Sequence, residues 1–416
     1  MAGHLRRARK RGESARRFSF FTMPNSTIQT FPSFPIIVHS HLGWDWVWQR
    51  PQQFLSRFSL LGHPVLFVEG PTPVEDLEKA AVELREVTEF PNITVLRMQM
   101  PSLRWSDGAW VDKERRRLVQ EVLAGPLGLR FREPVQWFYD PMAATPFAGH
   151  MKERAIVFDC MDQLSQFRGA PQELIRRERE LLAAADVVFA GGPKIGREKI
   201  RYNANTHSYG CGVDVSHFSR ARRKTTPLPA DIAHLPGPVF GFFGVVDERM
   251  DYDLVAALAD AQPQGSVVIL GPTTKIDPAT LPQRPNLHWL GGRDYQQLPD
   301  YVRGFDVCLM PFAINAATEF INPTKALEYM ATGRPIVSTA IEDVVEQFSD
   351  VVTIAPSPEE FLAACDRAAQ SPDAGAIERG LEVAERNSWE AIVAAMTGHI
   401  EQVLAAGVAD SVSGVA

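Results

Sequence analysis

The sequence is poor in cysteine and has no long apolar run. Its cysteines, Cys160, Cys211, Cys308 and Cys365, are far apart, and none has CxxC spacing. Such cysteines are typical of reduced cytosolic thiols and argue against a disulfide framework or a zinc site. No apolar stretch reaches the roughly 18 residues that a membrane-spanning helix needs. The apolar run at 18–23 is too short for a signal peptide, so we expect a cytoplasmic protein.

Clusters of metal-binding side chains are also scarce. His39 and His41 lie two positions apart, and no third ligand follows at a spacing typical of a metal site. Each histidine is as compatible with a buried position as with a cleft. We therefore expect no metal and no other bound cofactor.

Charge is distributed unevenly along the 416 residues. Residues 1–17 contain seven Lys or Arg and one Glu, a net +6, so the total of −7 leaves −13 for the remainder. An acidic body argues against nucleic acid as the main partner. The basic tail suits peripheral contact with the anionic inner face of a membrane. The alternative is a disordered tail, or an upstream start codon with Met23 as the true start.

Short apolar runs alternate with amphipathic stretches, which is the pattern of a parallel α/β fold. The predicted strands are 35–38, 65–68, 93–96, 135–139, 155–159, 187–190, 239–243, 267–270, 287–290, 307–311, 336–338 and 351–354. The predicted helices are 52–61, 171–184, 252–261, 295–303, 323–332, 341–348, 358–369 and 388–404.

This order predicts two doubly wound, Rossmann-like domains with parallel sheets and a cleft between the carboxyl ends of their strands. The predicted division is a disordered tail at 1–32, an N-terminal domain at 33–218 and a linker at 219–237, which is rich in charge and proline. A C-terminal domain at 238–385 follows. The segment 386–416 supplies a helix that packs back on the N-terminal domain, and a tail.

The segment at 319–338 has the strongest local signal. Asn322 is a good N-cap and Pro323 suits the first helical position, so a helix is predicted to begin there. Free amides and the helix dipole at such an end favour a phosphate. Lys325, in the first turn, adds a full positive charge.

Thr324, Lys325 and Glu328 are predicted to lie on one helical face, because residues three and four apart are neighbours. A carboxylate one turn beyond a bound phosphate can accept hydrogen bonds from the vicinal hydroxyls of a ribose. The face therefore predicts a site for a nucleoside diphosphate. A capped surface helix with an ordinary Glu and Lys is the alternative.

The string L-E-Y-M-A-T-G-R-P-I-V within this segment resembles the donor motif of retaining GT-B glycosyltransferases of group 1, the family 4-like enzymes. The resemblance implies that Glu328 binds the donor ribose and that Asn322, Thr324 and Lys325 meet the diphosphate. It also implies that Glu319 faces the donor sugar. Eight residues separate Glu319 from Glu328, one more than the family pattern has.

The resemblance extends to two further loops of the C-terminal half. Residues 241–251 resemble the strand and loop that open the donor domain, which implies that Gly244 and Arg249 lie near the diphosphate. Gly292 and Arg293 resemble the strand end that flanks the nucleobase. A surface arginine and a simple turn are the respective alternatives.

The N-terminal half contains an unusual tryptophan-rich loop after the first predicted strand. Trp44, Trp46 and Trp48 alternate and offer a platform for a sugar ring, or else pack beneath the loop. The residues here that suit contact with hydroxyls or phosphate of a substrate are Gly43, Trp44, Asp45, Gln49 and Arg50.

The pattern W-x-x-x-x-Q-R-P-Q in this loop resembles a bacterial subgroup of the same transferases, and two strand ends strengthen the match. Each strand end finishes in carboxylates, among them Asp140 and Asp162. We take Asp162 as a substrate-binding candidate. The catalytic candidates are Glu319, Lys325 and Asp140.

The resemblance implies a glycosyltransferase that moves a sugar from a UDP- or GDP-sugar to a saccharide or lipid-linked acceptor. Retention of configuration and a role in cell-surface polysaccharide synthesis are the corresponding expectations. Two rivals stay open. One is a nucleotide-sugar epimerase of similar architecture, and the other is a catalytically silent partner subunit that has kept the fold.

Overall fold

The computed structural model describes residues 33–45, 48–164, 171–274, 276–315, 318 and 324–413. From residue 34 onward, the described residues cluster as one unit. None of the helices in the described part of the chain is both long enough and apolar enough to cross a membrane.

The first half of the chain forms a sheet whose order is β3-β5-β2-β1-β6-β7-β8-β9. Neighbours along this path are parallel, and β4 adds an antiparallel pairing to β5. The strands are β1 (Ile36–Ser40), β2 (Val65–Glu69), β3 (Thr72–Val74), β4 (Ala81–Glu86), β5 (Ile93–Pro101), β6 (Val135–Phe138), β7 (Ala155–Cys160), β8 (Val187–Ala190) and β9 (Thr206–Ser208). The helices are α1 (Arg50–Leu60), α2 (Gly108–Ala124), α3 (Ala144–Phe147), α4 (Gln172–Ala184) and α5 (Pro193–Lys199).

The second half forms a parallel sheet of order β12-β11-β10-β13-β14-β15. Its strands are β10 (Val239–Phe243), β11 (Ser266–Leu270), β12 (Leu287–Gly291), β13 (Val307–Met310), β14 (Ile336–Thr339) and β15 (Thr353–Ala355). The accompanying helices are α6 (Val215–Phe218), α7 (Tyr252–Ala261), α8 (Leu298–Val302), α9 (Thr324–Thr332), α10 (Glu342–Phe348), α11 (Pro358–Gln370) and α12 (Ala374–Arg386), and the last helix is α13 (Trp389–Ser413).

The chain crosses between the sheets twice, and the two crossings contact each other. The amide of Val213 donates to the Asn387 carbonyl at 3.0 Å, and that of Trp389 donates to the Val213 carbonyl at 3.3 Å. Buried residues of α13 then share a core cluster with β1, β6, β7 and β8 of the first sheet. The hydrogen bonds at Val213 therefore join the two crossing segments, and α13 packs against the first sheet.

The predicted α/β class with parallel sheets is confirmed. The runs of apolar residues became the central strands because such strands are buried on both faces. The predicted domain bounds stay predictions.

Candidate functional site

The end of β10 and the first turn of α9 meet at one point. A Cβ on Gly244 would lie 2.2 Å from Lys325 Cε, so the lysine stem rests on the glycine backbone. Lys325 Nζ lies 5.5 Å from the Phe243 ring centroid. Gly244 has φ +151°, a backbone conformation that residues other than glycine rarely adopt. Two residues that the sequence assigned to the donor thus lie in contact.

Glu328 lies one turn further along α9, where three segments converge. Burial raises the pKa of its carboxyl, and Lys325 opposes that rise. Burial also raises the pKa of Cys211 and of Tyr295, and the Glu328 charge adds to both shifts. Glu328 is therefore near Cys211, in the first segment that crosses between the sheets, and near Tyr295, in the loop that follows β12. Thr324, which begins α9, is partly exposed.

Sequence reasoning missed the neighbours of Glu328. The Tyr295 ring stacks on the His217 ring, with centroids 4.3 Å apart and planes 9° apart. His217 also makes a 2.9 Å contact from Nε2 to the Tyr295 carbonyl. Tyr295 lies in no motif, and His217 occupies an unspecified position of the G-V-D-x-x-x-F string at 212–218. Only their approach to α9 in the fold indicates them.

Substituting Gly244 by alanine is expected to weaken binding of a nucleoside diphosphate about tenfold, because the added methyl displaces the Lys325 ammonium from its position. Isothermal titration with UDP and GDP measures the effect. Gly108→Ala is the matched control, since nothing lies within 4 Å of its added Cβ. Equal affinity for the nucleotide in both variants would show that the contact between Gly244 and Lys325 is not part of the donor site.

Arg249 is already paired within its own loop. Its Nη2 lies 2.6 Å from Asp247 Oδ2 and its Nε lies 2.8 Å from Asp247 Oδ1. The side chain is 40% exposed, so the pairing with Asp247 leaves part of it accessible. Contact of Arg249 with a diphosphate stays a prediction.

Arg293, which the sequence predicts to flank the nucleobase, is already paired within the fold, and its contact with a nucleobase stays a prediction. Its guanidinium donates to the Tyr301 hydroxyl at 2.6 Å, the Leu290 carbonyl at 2.6 Å and Asp231 at 2.9 Å. These bonds commit the side chain to the fold. A Cβ on Gly292 would meet its nearest neighbour, Pro272, at 3.7 Å, so nothing in the described structure demands a glycine there.

The sugar platform predicted at Trp44 is wrong. Trp44 is 4% exposed, and its ring packs edge-on against Trp48, Phe67 and Phe90 at centroid distances of 5.6, 5.2 and 6.1 Å. Its faces belong to the core, which is the alternative that the sequence left open. Trp46 lies outside the described residues.

Arg50 is likewise not available to a substrate. It is 5% exposed, its Nε donates to Asp159 at 2.9 Å, and its Nη1 donates to the Tyr209 and Gly210 carbonyls at 2.6 and 3.0 Å. Gln49 precedes it as the residue that caps the start of α1. The Q-R-P-Q string therefore begins a helix and anchors the first crossing.

The two predicted carboxylates after β6 and β7 differ in environment. Asp140 is 7% exposed; its Oδ1 accepts from the Met142 amide at 2.9 Å and its Oδ2 lies 3.5 Å from Arg115 Nη2. These contacts make Asp140 a turn cap in a buried ion pair, which disfavours a role as a catalytic base. Asp162 is exposed.

A cavity of about 560 Å³ lies at the carboxyl ends of β1 and β2 and is also lined by Arg97, Met98 and Gln99 of β5. It includes the predicted residues Gly43 and Asp45, together with Glu69 and Arg97, which the sequence did not indicate. We call it the first-sheet cavity.

Several predicted positions stay untested. Glu319 and Asn322 lie outside the described residues, as does Pro323. Within the described ranges, no group of three or more His, Cys, Asp or Glu is arranged to hold a metal ion.

Solved structures define the class of fold. The chain is similar to the sucrose-phosphate synthase of Thermosynechococcus elongatus, with 17% identity, a TM-score of 0.60, and coverage of 90% of this chain and 100% of that one. Anabaena HepE, solved in complex with UDP and glucose, gives 14% identity, a TM-score of 0.58, and coverage of 89% and 100%. At such identities the likeness shows the fold alone, and that fold is GT-B, as predicted.

Sequence comparison then finds a family model that matches part of the chain. Residues 237–371 match the family described as Glycosyl transferases group 1, which confirms the resemblance drawn from the motifs. The chain is also 24% identical over 263 residues to TuaH of Bacillus subtilis (strain 168), whose name provisionally assigns it as a teichuronic acid biosynthesis glycosyltransferase. The match covers 57% of this chain and 64% of that relative's length. The W-x-x-x-x-Q-R-P-Q subgroup stays a prediction.

Proposed function

We propose that this protein is a glycosyltransferase that takes a sugar from a UDP- or GDP-sugar and transfers it to a saccharide or lipid-linked acceptor. The observation that carries the proposal is the convergence of Gly244, Lys325 and Glu328 at the carboxyl end of β10. A cation beside glycine backbone, with a carboxylate one helical turn away, suits a diphosphate followed by a ribose.

In the proposed reaction the chain supplies position and charge. Lys325 and the first turn of α9 stabilise the negative charge that develops on the leaving diphosphate. Transfer with retention follows if a donor phosphate oxygen takes the acceptor proton on the face from which the diphosphate leaves. No metal or other cofactor is part of this proposal.

The cellular role is proposed from the relatives. The B. subtilis relative is named for teichuronic acid biosynthesis, and Anabaena HepE was solved with UDP and glucose. We accordingly propose that the protein acts in cell-surface polysaccharide synthesis at the inner membrane face. Its basic residues 1–17, outside the described structure, suit contact with anionic lipid.

A thermal-shift screen with UDP, GDP, ADP and dTDP, followed by an assay with the matching nucleotide sugar, tests the proposal. We expect one nucleotide to raise the midpoint temperature of unfolding. In the assay, we expect free nucleoside diphosphate to be released only when an acceptor extract is present. Interconversion of the sugar without an acceptor would instead indicate an epimerase. No binding of any of the four would favour the silent partner.

A further inference from the structure

The first-sheet cavity lies where parallel α/β sheets bind ligands, beyond the carboxyl ends of neighbouring strands. Ser40 and Glu69 end β1 and β2 level with each other, and Arg97 follows the last residue of β5 that pairs with β2. The volume of about 560 Å³ is within the range of small-molecule sites and can hold one or two sugar rings.

The charged side chains at the cavity are paired with one another. Arg97 donates from Nε to Glu69 at 3.0 Å and from Nη2 to Asp45 at 2.5 Å. Arg85 contacts both oxygens of Asp45, at 2.8 and 2.9 Å, and the Trp44 amide donates to Glu69 at 2.8 Å. Two carboxylates therefore face two guanidinium groups, and their formal charges cancel.

This pairing decides which ligands the cavity favours. A carboxylate or phosphate would have to compete with Asp45 and Glu69 for the same two guanidinium groups. A cation would compete with Arg85 and Arg97 in the same way. A hydroxyl group both donates and accepts, so it can bond to the second lone pair of a carboxylate oxygen and to an Arg97 N–H that the pairs leave over.

The remaining lining supports the same conclusion. Thr72 contributes a hydroxyl and Gln99 an amide, and both groups donate and accept. His41 stands exposed at the rim. The set offers mixed hydrogen bonding without a surplus of either charge.

We infer that the first-sheet cavity binds a neutral, hydroxyl-rich sugar unit of the acceptor and disfavours an acidic one. The inference rests on the proposed function, because it assigns the acceptor side of the same transfer. It goes further in naming the chemical class of the sugar and Asp45, Glu69 and Arg97 as the groups that set it.

Binding of simple glycosides to the full chain, saturated with the nucleotide it prefers, tests the inference. Methyl β-glucoside, methyl β-galactoside and methyl β-glucuronide are compared by saturation-transfer NMR titration. We expect at least one neutral glycoside to bind about tenfold more tightly than the glucuronide, because the acid brings an uncompensated charge. A glucuronide that binds as tightly as both neutral sugars overturns the inference.

Glu69→Gln gives the sharper comparison. It removes one of the two negative charges that pair with Arg97, so an acidic glycoside can pair with that guanidinium. The preference for neutral over acidic glycoside is therefore expected to fall about tenfold. Glu86→Gln, at an exposed position of β4 outside the cavity, makes the same change in total charge and is expected to leave the preference unaltered. Equal effects in the two variants would show that total charge, not the cavity, sets the preference.

Thr72→Val covers the case in which Glu69→Gln fails to fold, since Thr72 is exposed. It is expected to weaken the neutral glycoside severalfold and to leave nucleotide affinity unchanged. Bound nucleotide with no binding of any neutral glycoside refutes the inference and leaves the proposed function standing. Absence of nucleotide binding refutes the proposed function itself.

Discussion

Replacement of Glu328 by glutamine is expected to weaken binding of the preferred nucleoside diphosphate about 10- to 100-fold, with the fold intact. Two ribose hydroxyls that donate to a carboxylate form charge-assisted bonds, each worth about 1.5–3 kcal/mol, and an amide replaces them poorly. Isothermal titration measures the affinity, and thermal unfolding checks the fold. Glu359→Gln, exposed on α11, is the matched control. Unchanged affinity for the nucleotide would show that Glu328 does not bind the ribose.

The same residue predicts a dependence on pH. Burial raises the pKa of Glu328 in the free protein, so its carboxylate protonates at a higher pH than an ordinary glutamate. Hydroxyl donors favour the charged form, so binding lowers that pKa and affinity falls as the pH drops through the value of the free protein. Titrations at several pH values should show this fall in the native protein and its absence in Glu328→Gln.

The central strands could be predicted from the sequence because their side chains are buried on both faces. The edge elements could not. In β4, Ala81–Glu86, every side chain is exposed or partly exposed, so no apolar contrast marks the strand. Helices α2 and α12 were missed as well; α2 buries only Val111, Arg115, Leu118 and Val119 along its 17 residues.

The donor side of the site was predictable because it depends on local rules. Lys325 and Glu328 lie on one short helix, and helical spacing alone places them on a common face. The errors fell on residues whose partners are remote in sequence. Arg50 pairs with Asp159, 109 positions away, and the rings around Trp44 include Phe67 and Phe90. A polar or aromatic residue in a loop does not reveal whether the fold will cover it.

Arg50→Met is expected to destabilise the protein by about 3–5 kcal/mol, because it leaves Asp159, which is 0% exposed, as an unpaired buried charge. Urea unfolding followed by circular dichroism measures the change. Arg117→Met removes a partly exposed arginine paired with Glu114 and Glu121, and should cost less than about 1 kcal/mol.

The double variant Arg50→Met, Asp159→Leu separates the two tasks of this arginine. Removing both charges should recover most of the lost stability, since apolar replacement of a buried pair is often neutral. It does not restore the bonds from Arg50 to the Tyr209 and Gly210 carbonyls, which hold the crossing segment just before Cys211. Because Cys211 lies near Glu328, we expect the double variant to bind nucleotide more weakly than the native protein at equal stability. If Arg50→Met loses less than about 1 kcal/mol in the free energy of unfolding but fails to bind acceptor, Arg50 belongs to the substrate site and not to the supporting fold.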